Sequence, residues 1–344
     1  MTVKALLERL KHLVKRGAML CGANRLLVRI LRSPIVLGYH RVVEASESLL
    51  VDRIGFVSPL EFSAHLDYFE AIGCSFRPLG EVLRSDSSAS VAITFDDGYR
   101  DLRTSALPLL SKRGAPFSVF LIGSLSGRST LLWQHELYAL LDALPVHARH
   151  GALIDAMSAA IPRVEVERVT ALGGDLVGAL IRRLQPAEIL AVVDVLRLRW
   201  EGNGNWSDLY LSESELDDLS ANGASFEAHG YDHWALTCLT PQALDAELEN
   251  GRDAIGRRFG TRPSVLALAH GLGGDRELEA ARRAGFEHVV IGSHALFSGG
   301  GYEVPRIWPR GSSVEVSWML SKALLAAAWH ELRLLFRRGP AWTA

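Results

Sequence analysis

Two clusters of side chains in this sequence are of types that could do chemistry together. The first, Val91-Ala92-Ile93-Thr94-Phe95-Asp96-Asp97-Gly98-Tyr99, ends an apolar strand in two adjacent carboxylates. Carboxylates are costly to desolvate, so a neighbouring pair calls for a metal, a cation or a shared proton. The second, Phe226-Glu227-Ala228-His229-Gly230-Tyr231-Asp232-His233, offers two imidazoles four residues apart. In a helical turn residues i and i+4 project from one face, so His229 and His233 could reach one ion. Two neutral nitrogens and one carboxylate oxygen suit zinc or another divalent first-row metal and leave positions open for water. Metal-bound water has a pKa lowered to about 7, and a second carboxylate could take its proton as it attacks a carbonyl. This is the chemistry of amide or ester hydrolysis, with one of Asp96 and Asp97 as ligand and the other as base. Alone, Asp-Asp-Gly is also a turn and helix cap, and a histidine pair is also an ordinary partly buried pair. Their joint occurrence, each behind a strand-like run, favours a site.

The residues resemble a known family. Thr94-Phe95-Asp96-Asp97-Gly98 followed by the histidine pair is similar to the NodB-homology polysaccharide deacetylases, which remove acetyl groups from N-acetylated sugars with a divalent metal, usually zinc. Pro34 to Val42 resembles the "YHRV" strand of a permuted subgroup, and Val57-Ser58-Pro59 with Phe62, His65 and Leu66 resembles its "VSPxxFxxHL" helix. Glu303-Val304-Pro305-Arg306-Ile307 resembles the closing "LPRI" element, so the likeness covers roughly residues 33 to 310. The resemblance implies a distorted (β/α)7-type barrel of NodB type. It implies Asp96 as general base, Asp97, His229 and His233 as metal ligands, and His40 as the acid that protonates the departing amine. By analogy with the charge partner of the base in relatives, Arg306 is expected to lower the pKa of Asp96.

Two departures matter. Gly230 stands where the family usually has Ser or Thr, which suggests a looser loop. Ser264 to Gly271 replaces a segment that normally carries a proline and an aromatic, here Ala269 and Leu268. His270 in that segment is expected to be a solvated loop residue.

The elements that must position these groups are legible in outline. Strand-like runs at Val36 to Tyr39, Val91 to Phe95, Phe117 to Ile122, Ser225 to Ala228, Val265 to Ala269 and His288 to Ile291 alternate with helical patterns, which indicates parallel β/α units in an α/β fold. A deacetylase domain over 33–312 is expected, with a helical insertion over 134–205. Leu137, Leu140, Leu141 and Leu144 share one helical face there, as do Leu176, Leu180, Ile181 and Leu184. The insertion is expected to cover the cleft as a wall or lid, or else to stabilise the fold away from it. A basic amphipathic extension over 1–32 and an amphipathic helix over 313–344 flank the domain. They could lie on anionic lipid or pack on the barrel and each other. The extension lacks the uninterrupted apolar core of a signal peptide, and no stretch reaches the roughly 20 apolar residues of a membrane span.

The chain has 344 residues and a net charge of −2. Its size allows a barrel of about 200 to 250 residues with appended helices. Neither the charge nor any aromatic-basic motif points to nucleic acid. Cys21, Cys74 and Cys238 have no paired spacing, as in a reducing compartment. The expectation is a zinc-dependent N-deacetylase of a bacterial surface saccharide or its lipid-linked precursor. Its expected place is the cytoplasm, with attachment to the inner face of the membrane as one of the two readings of the flanking helices. Rival readings are a deformylase or other amidase, and a degenerate member that binds saccharide or membrane without turnover.

Overall fold

A computed structural model describes residues 22–31, 34–45, 55–84, 89–125, 131–199, 208–292, 296 and 301–337. The basic segment before residue 22, the turn-rich junction at 201–205 and the side chains of Leu332, Leu335, Phe336 and the terminal arginines lie outside what it describes.

Seven parallel strands form the core: β1 (Ile35–Tyr39), β5 (Ser90–Asp97), β6 (Phe117–Leu121), β7 (Ala224–Ala228), β8 (Val265–Ala267), β9 (His288–Ile291) and β10 (Glu303–Pro305), side by side in that order. Short strands β2 (Arg41–Val42) and β3 (Phe56–Val57) pair with each other, and β4 (Ser75–Phe76) pairs with β5. The sheet closes just past β10. Ile307 pairs in parallel with Leu37, donating its N–H to the Val36 carbonyl and accepting from Gly38 N–H, both at 2.9 Å. A Cβ at position 38 would stand 3.0 Å from the Trp308 ring, so glycine lets that indole lie against the strand at this seam.

Every residue of β1, β5 and β6 is buried, as expected for parallel strands covered on both faces. Alternation along the strands sorts the core into two layers. Val36, Ala92, Phe120, Val265, Ala267, Val290 and Val304 form one cluster with Leu79, Val82 and Leu83 of a short helix. Ile35, Leu37, Ile93, Phe95 and Val119 join a larger cluster with the covering helices.

In chain order the α-helices among the described residues are α1 (Ala23–Leu31), α2 (Pro59–Ala71), α3 (Leu79–Arg84), α4 (Leu107–Ser111), α5 (Trp133–Asp142), α6 (Val146–Ala160), α7 (Arg163–Thr170), α8 (Leu176–Arg183), α9 (Pro186–Arg199), α10 (Glu213–Ala221), α11 (Pro241–Phe259), α12 (Asp275–Arg283) and α13 (Ser313–Arg337). The start of α2 follows from its sequence. Ser58 and Glu61 form a reciprocal capping box, with Pro59 at the first helical position. In the motif around α2, His65 has a structural place: its Nε2 lies 2.6 Å from the Gly311 carbonyl.

Helices α5 to α9 occupy the interval between β6 and β7 and have a core of their own, including Leu137, Met157, Leu180, Val192 and Leu196. Tyr99, Ile122 and Tyr210 join that core to the barrel. At the other side α1 packs against α13. Asn24, which interrupts the apolar pattern of α1, is buried; its amide donates to Tyr68 Oη and the Ser317 carbonyl and accepts from Ser321 Oγ. Among the described residues no helix is long and apolar enough to cross a membrane.

Candidate active site

The C-terminal ends of the parallel strands deliver the chemistry. His40 follows β1, Asp96 and Asp97 end β5, His229 follows β7, His270 lies just beyond β8, and Arg306 follows β10. Loops at this end of a β/α barrel are where such folds place their sites.

Strand alternation alone would send Asp96 and Asp97 to opposite faces. Asp97 instead adopts a left-handed backbone, with φ of 72°, and its side chain turns toward the histidines. His229 and His233 do not lie in a helical turn, contrary to the sequence expectation, because Gly230 and His233 take φ of 78° and 61° in an irregular loop. The two imidazoles still meet, with Nε2 atoms 3.2 Å apart. Asp97 Oδ1 lies 3.3 Å from His229 Nε2 and 3.4 Å from His233 Nε2. All three side chains are buried.

The hydrogen bonds of the two rings orient their remaining nitrogens. His229 Nδ1 is 2.9 Å from the Ala267 carbonyl, which can only accept, so that nitrogen carries the proton. His233 Nδ1 donates in the same way to Gln134 Oε1 at 2.9 Å. In the neutral rings both Nε2 atoms therefore present lone pairs to Asp97 Oδ1, which is buried with no hydrogen-bond partner. Three lone pairs converging in a buried space repel unless a cation lies among them, and two nitrogens with one carboxylate oxygen form a set suited to a divalent metal. Burial would raise the Asp97 carboxyl, but the facing imidazoles bring it well below its ordinary range. Burial, followed by the neighbouring His270, takes His233 well below the usual imidazole value, which favours a neutral ring. Burial would lower His229 too, but Asp96 and Asp97 outweigh it and raise its pKa, so that without a cation a proton on its Nε2 would face Asp97 Oδ1 at 3.3 Å.

Asp96 is held differently. Arg306, itself buried, donates to both of its oxygens, Nη1 to Oδ1 at 2.6 Å and Nη2 to Oδ2 at 2.7 Å. Burial pushes this carboxyl up, and the guanidinium outweighs it, leaving Asp96 below the usual carboxylate value. Asp96 Oδ2 lies 4.0 Å from His40 Nε2 and 3.9 Å from His229 Nε2. His40 stacks on Trp308 at 4.9 Å between ring centres, and Arg306 lies over the same indole at 4.4 Å. Burial lowers the His40 pKa against the opposing charges of Asp97 and Asp96. These groups line one cavity of about 830 Å3.

Several of its supports are not legible in the sequence motifs. Gln134, which fixes the His233 tautomer, is the second residue of α5, and its neighbour Trp133 donates from the indole to the Asp232 carbonyl at 2.9 Å. Trp133 also stacks on Trp234 at 4.5 Å. The helices over 133–199 thus grip the histidine loop and wall the cavity with Gln134, Tyr138, Ile181 and Arg182. Glu247 of α11 accepts from the N–H groups of Tyr231 and Asp232 at 2.9 Å each. The expectation of a looser loop at Gly230 does not hold: the loop is pinned, and a Cβ at 230 would stand 2.6 Å from Glu247 Oε1. His270 is not a solvated loop residue, since its ring packs 4.5 Å from that of His233 and its Nε2 meets the His233 carbonyl at 3.1 Å. Beneath Asp97, His135 bridges Tyr99 and Tyr210, and burial lowers its pKa to about 4.

The model of the family described as polysaccharide deacetylase matches residues 84–164 and 179–289. The chain is 22% identical over 261 residues to YxkH of Bacillus subtilis, whose name describes a polysaccharide deacetylase. The match covers 74% of this chain and 63% of that relative, so the chain spans under two thirds of its length. Among solved structures, the deacetylase PplD of Streptococcus pyogenes, in complex with acetate, is similar with a TM-score of 0.54 and 16% identity over 85% of this chain and 98% of that one. IcaB from Ammonifex degensii is similar at 0.52 and 20% identity, over 84% and 97%. These likenesses establish the fold, the nearly closed parallel barrel.

Two substitutions test the supports. Replacing Gln134 with Ala removes the acceptor that fixes His233, and zinc affinity measured by chelator competition should fall about 10- to 100-fold with the fold intact by circular dichroism. Gly230→Ser puts a Cβ against Glu247 at positive φ, and thermal unfolding should show a loss of about 1–3 kcal/mol. Unchanged metal affinity in the first, or unchanged stability in the second, would refute the assignment concerned.

Proposed function

The chain belongs to the polysaccharide deacetylase family, and we propose that it is a metal-dependent hydrolase that removes acetyl groups from an N-acetylated sugar. The sugar belongs to a bacterial surface polysaccharide or its lipid-linked precursor. The observation that carries this reading is the convergence of three buried lone pairs beside a carboxylate clamped by arginine, inside a cavity large enough for a sugar.

In this reading Asp97, His229 and His233 hold a divalent cation, zinc by the chemistry of the donors, and Asp96, His40 and Arg306 surround the reacting amide. The cation, when bound, supplies Lewis acidity toward the acetyl carbonyl and toward water. Arg306 keeps Asp96 ionised, ready to accept a proton at Oδ2, the oxygen that faces both His40 and His229. Burial leaves His40 neutral at rest, so the proton it gives the departing amine is one received during turnover across the 4.0 Å to Asp96. Trp308 fixes the plane of the His40 ring for that transfer.

The lipid-linked form of the substrate is supported by the paired helices α1 and α13. Their outer faces expose Leu26, Ile30, Leu325 and Trp329, each 59–64% accessible, near Arg25, Arg29 and Lys322. Apolar side chains mixed with cations suit the surface of an anionic membrane, here its cytoplasmic face.

The purified protein should hold about one zinc per chain and release acetate from N-acetylglucosamine oligomers or lipid-linked N-acetyl sugars. Asp97→Ala should lose the metal, whereas Asp96→Asn should keep it and lose activity by about 10²- to 10⁴-fold. Absence of stoichiometric metal would leave the degenerate binding reading, and formate release in place of acetate would make the enzyme a deformylase. The membrane reading predicts co-sedimentation with anionic but not neutral vesicles, lost in Leu325→Asp combined with Trp329→Asp. A protein that ignores anionic vesicles overturns it.

A further inference from the structure

The reacting groups occupy only part of their cavity. Its lining also includes Arg182 of α8, Arg310 beyond β10 and Lys322 of α13, so three separate elements bring positive charge to one space. All three side chains are exposed; Arg182 shares its neighbourhood with Asp175, the cap of α8, since a Cβ at Gly178 would stand within 3.0 Å of both Asp175 Oδ2 and Arg182 Nη1. The carboxylates lining this space, Asp96 and Asp97, are engaged by Arg306 and by the two imidazoles. Neither neutralises the outer cations. A second hollow of about 380 Å3 shares Arg310, Met319 and Lys322 and adds Trp318 and Glu315. Glu315 caps its own helix, accepting from the N–H and hydroxyl of Ser312.

A concave surface lined by one sign of charge concentrates counter-charged ligands. Arginine and lysine are the side chains that recognise phosphate oxygens, arginine in a bidentate fork. Next to these cations come the apolar side chains of Trp318 and Met319, and farther along α13 the exposed Leu325 and Trp329. A reactive centre for an acetamido sugar, then cations, then an apolar surface is the order of groups in a sugar joined through phosphate to a hydrocarbon.

We propose that Arg182, Arg310 and Lys322 form an anion subsite that takes a phosphate or diphosphate ester attached to the sugar. This deepens the deacetylase reading and rests on it for the placement of the acetyl group at Asp96. The chemistry is common to nucleotide-linked and prenyl-linked sugars, and the probes below separate the two.

Calorimetric binding to zinc-loaded, full-length Asp96→Asn protein tests this. The probes are a neutral N-acetylglucosamine trimer, N-acetylglucosamine 1-phosphate, UDP-N-acetylglucosamine and a short-chain prenyl diphosphate of N-acetylglucosamine. The phosphorylated sugars should bind at least about tenfold tighter than the trimer. That preference should shrink by about tenfold in Arg310→Ala and in Arg182→Ala, and should weaken as salt rises from about 50 to about 500 mM. Tighter binding of the prenyl form assigns the lipid source, and tighter binding of the nucleotide form assigns the soluble one. Equal binding of neutral and phosphorylated sugars, or a preference intact in both arginine variants, overturns the subsite. Acetate release by the wild-type protein is scored separately. Release from the trimer without any phosphate preference sinks the subsite alone; a phosphate preference without release from any sugar sinks the deacetylase reading alone.

Discussion

Three lone pairs aimed at one buried point, from Asp97 Oδ1 and the Nε2 atoms of His229 and His233, are the constraint to which the surrounding structure answers. Without a cation or a proton between its atoms such an arrangement is costly, because they repel and each has been taken from water. It persists because other interactions impose it. The Ala267 carbonyl and Gln134 fix the two rings, and Glu247 fixes the loop between them. Of the four non-glycine residues described at positive φ, three are Asp97, His233 and His270. Left-handed backbone at such residues costs about 1–3 kcal/mol each and is retained where the surroundings over-determine it.

How much of this the sequence discloses depends on the distance over which a residue acts. Asp96 and Asp97 sit where a buried apolar strand stops, so two carboxylates abruptly ending that run mark them, whereas the short, partly exposed strands before His229 and Arg306 give a weaker signal and their motifs carry the reading. The barrel is legible for the same reason, since strands buried on both faces read as continuous apolar runs. Gln134 and Glu247 leave no such mark. Each is a polar residue in an amphipathic helix, and its importance arises from a contact with a loop 99 or about 15 residues away in the chain. Trp308 is equally silent, because its partner His40 lies at the opposite end of the sheet order. The histidine pair was legible by type but not by geometry: a spacing of four suggests a helical turn, and the intervening glycine with its positive φ makes an irregular loop instead.

The helices between β6 and β7 have their own core, yet two consecutive residues at the start of α5 hold the histidine loop, Trp133 by its indole and Gln134 by its amide. The same helices line part of the cavity, and Trp308, Arg310 and α13 line another part. Residues far apart in sequence therefore share the shaping of the space, while the barrel mouth supplies its carboxylates, imidazoles and buried arginine.

The closure of the sheet at Ile307 has a temporal consequence. A ribosome makes Asp96 210 residues before the arginine that neutralises it, and makes β1 long before the strand that seals it. Through most of translation Asp96 has no guanidinium to meet it and the barrel edge at β1 stays open, so the cluster of side chains around Asp96 can assemble only in the last stage of elongation. A chain ending before Arg306 would carry the aspartate and histidine motifs without the ion pair that holds Asp96 or the strand pairing that closes the sheet.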